Sequence, residues 1–528
     1  MRGPSPRSVS PLASIAGAVG VLVGGTAIAQ LLGIARELFV ASQVGLSPEL
    51  DALLIALALP LTLAGALSSG TGTALVPAYA TTLEERGPRA ARRLVGTVLV
   101  WVCLAGVILT IALIAFADAI VAVTGLGLEP VNQRQAAGYL RLMAPAALLG
   151  AAQGILVAQS QAEERFASIA ASTFAHPLVT LVVTVGLWPA VGLDALAIGY
   201  LAGPAVGLLV LLAASLHAST LPIPVLAPRG VGVRALTRHA TPLTLSAGIL
   251  QLNVVADRAI ASVIGPGAVS ALRYGESLVR TPIGAIAPAW GAAIYPALVR
   301  ASHDPTDRGG LGRSTGLAIR FALVAFVPLV ALVAGLAPLG VEFAYGRGAF
   351  DASDAQLTST VVAGFAPLLL VLMVSPILTS AHNALRRGGV LLVTGAANVV
   401  LNLLLNLALG SVLGAAGIAL SSSITSSLLV VFLAARLHEL GSSGAARALW
   451  VTLARSVAAM ALPAVAVTVI GWSGVTADLG IPAVVAVVTL GAAALIVYAG
   501  TMLLLGSSEV RLLVRAMLGR LAPRSTRG

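Results

Sequence analysis

The sequence predicts an all-α polytopic membrane protein of about 14 transmembrane helices, two repeated six-helix lobes followed by two C-terminal helices. Three observations carry this. Of 528 residues, 58% are hydrophobic and only 10% charged, with a mean hydropathy of +0.99, a composition far from that of a soluble domain. The apolar runs are about 20 residues or longer, the length a helix needs to cross a hydrocarbon layer of roughly 30 Å. The chain also repeats itself: residues 28–44 align without a gap on 249–265, 154–170 fall on 376–392, and 191–203 fall on 413–425. One duplication at an offset of 221 or 222 residues accounts for all three matches. Internal repeats in a hydrophobic chain point to a transporter that holds its substrate between related bundles.

Taken in order, the apolar runs place spans near 12–43, 49–79, 91–117, 134–158, 166–188 and 192–216 in the first copy. The second copy supplies 239–264, 268–299, 315–341, 357–382, 388–409 and 411–436, and two more spans follow at 447–472 and 478–506. The chain therefore divides into an N-terminal lobe at 1–216, a connector at 217–238, a C-terminal lobe at 239–437, and a segment at 438–528 that holds the two additional helices and a basic tail. An even number of spans puts both termini on one side. All 31 basic residues are Arg, and 23 of them fall in segments on the side of the termini, against Arg134 and Arg347 on the other. That bias is the positive-inside pattern, so both termini and the connector are expected to be cytoplasmic.

The same reading excludes several classes. The apolar stretch from Leu12 is too long for a signal peptide and runs into Arg36 and Glu37 instead of a small-residue cleavage site, so the first helix is expected to stay. A single cysteine, Cys103, offers neither a disulfide nor a cysteine metal site. The net charge of +11 is scattered over separate loops without aromatic interleaving, which reads as topology and not as a nucleic-acid site. With no Lys anywhere, a Walker lysine is impossible. The expectation is a transporter and not an enzyme, with no cofactor or ATP, drawing on a monovalent cation gradient or the membrane potential. No loop is long enough to hold a sugar donor and its metal, which argues against a membrane glycosyltransferase.

Ionisable groups at membrane depth are costly unless they face a wet cavity or a partner, so they are the first functional candidates. Arg36, Arg141, Arg258, Arg273, Arg280, Arg455, Glu37, Asp51, Asp257 and Glu276 lie inside or at the edges of spans, and spans one, two, seven and eight hold all but Arg141 and Arg455. Under the repeat Arg36 maps to Asp257 and, with one residue of slippage, Asp51 maps to Arg273, so the two copies present opposite charges at related positions. The bland alternative is that Arg36 and Glu37 snorkel at the end of span one. On span eight, Arg273, Ser277 and Arg280 share one helical face, and Glu276 sits beside it, within reach of either Arg. Two guanidiniums on one stripe suit a diphosphate; the bland alternative is a structural Glu276–Arg280 pair.

Span eleven carries Thr394, Asn398, Asn402 and Asn406 at four-residue intervals, and the same face of span five reads Ser172, His176, Thr180 and Thr184. Such stripes usually join helices by hydrogen bonds. The functional alternative is that Asp257, Asn398 and Asn402 supply oxygens to a driving cation. Pro60, Gly70, Gly72 and Pro77 in span two, with Pro282, Gly284 and Pro296 in span eight, predict that these two spans bend.

Several segments, in their order and spacing, resemble the MurJ/MviN lipid II flippases of the multidrug/oligosaccharidyl-lipid/polysaccharide exporter (MOP) superfamily. They are LLGIARELFVA at 31–41, DALLIAL at 51–57, ALVPAYA at 74–80, QLNVVADRAIAS at 251–262, RYGESLVRTPIG at 273–284, AAIYPAL at 292–298, NVVLNLLLN at 398–406 and GAAGIAL at 414–420. The resemblance implies two six-helix lobes in a V shape around a cationic cavity, with the last two helices forming a groove for a lipid tail. It implies a cell-wall role in peptidoglycan biosynthesis, at the bacterial inner (plasma) membrane. Gln30, the stretch Leu63, Ala64 and Gly65, and Ser277 stand where the family pattern has Arg, while Arg273 and Arg280 lie one turn either side of Ser277.

The expected activity is alternating-access flipping of a lipid-linked, undecaprenyl-diphosphate-linked peptidoglycan precursor. Arg36, Arg273, Ser277 and Arg280 would bind substrate, and Glu37, Asp51, Asp257, Arg258 and Glu276 would gate or balance charge. The expected partners are the lipid-linked glycan, membrane lipids and cell-wall synthesis proteins, with no nucleic acid. A flippase for an exopolysaccharide or other lipid-linked oligosaccharide, a multidrug/cation antiporter and a scaffold for cell-wall synthases stay open as alternatives. The four central Arg weigh mildly against the antiporter, and a scaffold would need no charges at membrane depth.

Overall fold

In a hydrocarbon layer no water is present to satisfy the backbone, so long apolar runs close their hydrogen bonds within helices. The computed structural model describes residues 11–226, 233–281, 283, 310–385, 387–438 and 443–512, and among them the regular elements are helices. In chain order these are α1 (Pro11–Val44), α2 (Pro48–Ala115), α3 (Ala117–Thr124), α4 (Pro130–Met143), α5 (Pro145–Ala162), α6 (Phe166–Val191), α7 (Asp194–His217) and α8 (Val233–Ile264). After α9 (268–281) come α10 (Gly310–Gly335), α11 (Ala337–Tyr345), α12 (Ala352–Phe365), α13 (Leu368–Ala384), α14 (Gly388–Leu413), α15 (Ala415–His438), α16 (Ser443–Trp472), α17 (Val475–Asp478) and α18 (Ala483–Leu504).

Eleven stretches among the described residues are long and apolar enough to cross a membrane. One of them, α2, has 68 residues, or about 100 Å at 1.5 Å per residue. That is more than three times the thickness of a roughly 30 Å hydrocarbon layer, and it holds spans two and three. The two are separated at Gly87, whose φ of 79° and ψ of 177° suit only glycine, and Pro88 starts the next helix. With that second passage and with α8 at span seven, described helices cover thirteen of the fourteen expected spans, and α9 covers the start of span eight, whose remainder lies outside the described residues. Spans four and ten are each broken in two, at Ala144–Pro145 and at Ala366–Pro367. Large apolar side chains are heavily exposed, among them Val412 at 78% and Leu504 at 89%. In water such surfaces would promote association; here lipid is their solvent.

The duplication is visible in the helix boundaries. The run α3 to α7 recurs as α11 to α15, with α6 and α14 of equal length and α7 and α15 of equal length. Gly192 ends α6 at φ 57°, ψ −130°, and Gly414 ends α14 at φ 62°, ψ −143°. Both conformations are open essentially to glycine alone. The short helices α3 and α11 are additions to the hydropathy pattern, which runs α11 into span nine and leaves α3 as loop.

Contacts divide the chain into two units, Met1–Val40 with Ser47–Val269, and Ala41–Leu46 with Ser270–Gly528. The core of the first is built on α2 and α5, around Leu75, Tyr79, Leu94, Val95 and Ile155. The core of the second joins α10 and α11 to α16 and α18, around Leu332, Leu339, Met460, Val467 and Tyr498, and the Tyr498 hydroxyl donates to the Val324 carbonyl at 2.8 Å. The helix α8 opens the second copy of the repeat yet packs in the first unit against α2. Gly70 permits this, because a Cβ there would overlap the Thr244 backbone, and one on Gly65 would approach Gln251 Nε2 to 2.8 Å. Pro60 and Pro77 lie inside α2, whose one non-helical residue is Gly87. The glycines of span two thus serve close packing, and the expected break falls at the span's end. Pro282, Gly284 and Pro296 lie outside the described residues.

Candidate functional site

In the first unit the part of α1 that carries Arg36 and Glu37 is buried. Arg36 is 8% and Glu37 6% exposed, with Nη2 and Oε1 3.6 Å apart. The guanidinium lies over the ring of Tyr200 on α7, its Cζ 4.6 Å from the centroid. Arg36 therefore does not snorkel; it is held over an aromatic face, which attracts a cation through its quadrupole. Nearby on α1, Phe39 meets Trp188 of α6 edge-on, with ring centroids 5.3 Å apart.

Asp51, on the first turn of α2, is 1% exposed, and its Oδ2 accepts from the Gly267 amide at 2.7 Å. Gly267 immediately precedes α9, so this carboxylate sits at a helix N-terminus, where the backbone dipole favours negative charge. Arg258 on α8 donates through Nη1 to the Leu54 carbonyl of α2 at 2.7 Å. Asp257 is part-buried beside it in sequence.

In the second unit α9 carries the rest. Arg280 Nε pairs with Glu276 Oε1 at 2.6 Å, and their side chains are 49% and 32% exposed. Of the two arginines in reach, Glu276 thus bonds Arg280, and both groups stay accessible to a ligand. Arg273 and Ser277 are part-buried, and the Ser277 carbonyl accepts from Thr281 Oγ1 at 2.6 Å. Tyr274, next to Arg273, stacks with Tyr345 at 4.9 Å between centroids and meets Phe350 at 6.2 Å, which fixes the N-terminal part of α9.

The polar stripes are helix joints. Asn406 is fully buried and accepts from the Ser421 hydroxyl of α15, while Asn402 Oδ1 accepts from Ser422 Oγ at 3.3 Å. In the first unit Ser172 Oγ donates to the Gly207 carbonyl at 2.9 Å and accepts from Gln153 Nε2 at 3.0 Å. Asn398 and Asn402 belong to the second unit and Asp257 to the first. Among the described residues no group of three or more His, Cys, Asp or Glu side chains could hold a metal.

A second polar centre escapes the sequence reading. Glu163, in the α5–α6 turn, accepts from Tyr79 at 2.6 Å, Gln159 at 2.9 Å and Thr220 at 3.1 Å, and pairs with Arg165 Nε at 2.7 Å. Arg165 also donates to the Ala214 carbonyl at 2.8 Å, near the C-terminus of α7. Arg387 does the same in the second unit, donating to the Arg436 carbonyl of α15 at 3.2 Å. These two arginines align in the repeat match of 154–170 on 376–392. That identity was the available signal, and counting both residues only toward topology hides it.

A family model described as "Lipid II flippase MurJ" matches residues 40–498. The chain belongs to this family. Members similar to it include a probable lipid II flippase MurJ from Synechocystis, 29% identical over 420 residues and covering 76% of each chain. Another, from Burkholderia cenocepacia, is 27% identical over 408 residues, covering 71% of this chain and 76% of the relative. Among solved structures, lipid II flippase MurJ in an inward closed conformation superposes with a TM-score of 0.71 at 18% identity, covering 87% of this chain and 99% of that one. An inward-facing multidrug resistance MATE transporter of the MOP superfamily gives 0.66 at 15% identity, covering 80% and 99%. These likenesses establish the fold, and family membership makes the protein a multi-span membrane transporter of a bacterial family and not an enzyme.

Proposed function

We propose that this chain flips lipid II, an undecaprenyl-diphosphate-linked peptidoglycan precursor, from the inner to the outer leaflet of the bacterial plasma membrane by alternating access. The observation that carries the reading, beside family membership over residues 40–498, is the buried Arg36 held over the Tyr200 ring. Its planar fork and permanent charge suit phosphate oxygens. Arg280, half-exposed and paired with Glu276, and Arg273 supply further cationic groups in the second unit. Contact of these arginines with the diphosphate in one state and its loss in the other would give capture and release. The arginine bias of the loops supports an orientation with both termini cytoplasmic. In the absence of any lysine for a Walker site, the energy source we assign is an ion gradient or the membrane potential.

The test is translocation of fluorescent lipid II in liposomes by the purified protein, beside the Arg36→Ala, Arg273→Ala, Arg280→Ala variant. The expected result is transport by the parent protein that the variant abolishes while keeping its elution profile and melting temperature. A folded parent that moves no lipid II sinks the reading and transfers the proposal to another lipid-linked glycan.

A further inference from the structure

In the second unit α10, α13, α15 and α16 enclose a cavity of about 500 Å³, lined by Ile319, Val374, Leu378, Val431, Trp450 and Leu453 among others. Its size falls within the roughly 300–1,000 Å³ usual for small-ligand sites, and its walls are almost wholly apolar. Two features give it a chemical address. Thr315, also in the lining, is 4% exposed, and its hydroxyl has no hydrogen-bond partner. Such a group normally has a partner. In addition, Arg313, Arg436 and Arg447 are exposed at the ends of three of the enclosing helices. Arg313 is next to the lining residue Gly312, Arg436 is next to Ala435, and Arg447 lies two before Leu449. Arg436 is steadied over the Phe432 ring at 5.2 Å, and Trp450, 64% exposed, marks an aromatic residue at the same level.

We propose that this cavity binds one acyl chain of an anionic phospholipid of the arginine-rich leaflet, with the lipid phosphate on Arg313, Arg436 and Arg447. Basic rims between transmembrane helices recognise anionic head groups in this way. The buried hydroxyl selects the chain. Thr315 lies within one turn of Arg313, at the depth where an acyl ester carbonyl follows the phosphate, and that carbonyl accepts the unused hydroxyl proton. A polyprenyl tail is pure hydrocarbon and offers no such acceptor. The assignment is independent of the transported substrate.

The experiment uses the full-length protein in detergent, titrated with phosphatidylglycerol brominated in its acyl chains and, separately, with the equally brominated phosphatidylcholine, following tryptophan fluorescence. Saturable quenching is expected at severalfold lower concentration of the anionic lipid, and Trp450→Phe should remove most of the quenched signal. The triple variant Arg313→Gln, Arg436→Gln, Arg447→Gln should bring the two lipids to equal potency. Thr315→Val should weaken both severalfold while keeping the preference. Gly316→Leu should fill the cavity and abolish saturation, with its lipid-free melting temperature showing that it folds. Equal potency of the two lipids with the parent protein overturns the proposal. So does saturable quenching that survives Gly316→Leu, or displacement of the anionic lipid by undecaprenyl phosphate at equal or lower concentration, which would make the cavity a polyprenyl-tail site.

Discussion

The backbone amide of Gly127 donates to the hydroxyl of Ser262 at 3.3 Å, and the second copy repeats the arrangement, the Ala349 amide donating to the Ser42 carbonyl at 2.9 Å. In each case the turn after a short helix, α3 or α11, holds the end of the first helix of the other copy. Glycine is needed at both turns, because a Cβ on Gly127 would overlap the Ser262 carbonyl and one on Gly348, at φ 66°, would overlap that of Ser42. Gly127→Ala and Gly348→Ala should each destabilise by about 1–3 kcal/mol, the usual range for forced local strain. Ser262→Ala removes the bond from Gly127 and the one that the hydroxyl donates to the Ala259 carbonyl at 2.7 Å, and should cost about 1–2 kcal/mol. Gly186→Ala, with nothing within 4 Å, is the control. Thermal unfolding with a thiol-reactive dye at Cys103 reads all four, and equal melting temperatures for Gly127→Ala and Gly186→Ala would contradict the account.

The pair Arg165 and Arg387 separates a buried clamp from an exposed one. Arg165 answers Glu163, whose side chain is 9% exposed, so Arg165→Gln leaves a buried carboxylate without its cation and should cost about 3–5 kcal/mol. Arg387 makes one exposed bond to a carbonyl, and Arg387→Gln should cost about 1 kcal/mol or less. The double variant Glu163→Gln, Arg165→Gln should recover part of the first loss, since the two sites are in contact and must couple. Additive losses in that cycle would remove the ion pair from the explanation.

Glu509 predicts a pH dependence. Burial works against its charged form, but bonds from its own backbone, Ser507 and Ser508 and the charge of Arg320 outweigh burial, so its pKa lies below the ordinary carboxylate value. The carboxylate is 3% exposed and bridged to Arg320. A depressed folded-state pKa contributes stability above the unfolded pKa of about 4.3 and loses it as pH falls through the lower folded value. The melting temperature should therefore drop more steeply with acidification below about pH 4 in the parent than in Glu509→Gln, which should already be less stable at neutral pH. Parallel curves would place the acid sensitivity elsewhere.

Membrane spans and the duplication were legible because each rests on long-range regularities, hydropathy over about 20 residues and identity at a fixed offset. Segments set by single backbone angles were less so. Gly87 and Pro88 end one span and begin the next inside a stretch that hydropathy alone bounds only loosely, and α3 and α11 are too short to carry a periodic signal. At the site, charge at membrane depth pointed to Arg36 and Glu276, and the i,i+4 spacing already gave Glu276 its partner Arg280, but the surroundings of Arg36 were hidden. Tyr200 is 164 positions from Arg36, and nothing in spacing links an α7 aromatic to an α1 cation. The role of Asn402 was legible as a joint, because four-residue periodicity is itself the geometry of a helix seam.

Arg36 and Tyr200 carry the last prediction. If Arg36 acted only as a positive charge, Arg36→Lys would keep transport. The geometry argues otherwise, because the guanidinium lies over a ring face, its Cζ 4.6 Å from the centroid, and a planar guanidinium can stack there while its N–H fork binds phosphate, whereas an ammonium is a compact point charge with no plane to stack. Arg36→Lys should therefore lose about tenfold in lipid II translocation rate, equivalent to about 1.4 kcal/mol, with little change in melting temperature. Tyr200→Phe keeps the ring face and should transport nearly as the parent does. Tyr200→Leu keeps apolar volume but removes the quadrupole, whose attraction for a desolvated cation reaches about 2 kcal/mol, and should resemble Arg36→Lys. Combining Tyr200→Leu with Arg36→Lys should cost little beyond either alone, since the first change already removes what the second disrupts. Full multiplication of the two losses would show that Tyr200 and Arg36 act separately and that the stack is incidental to transport.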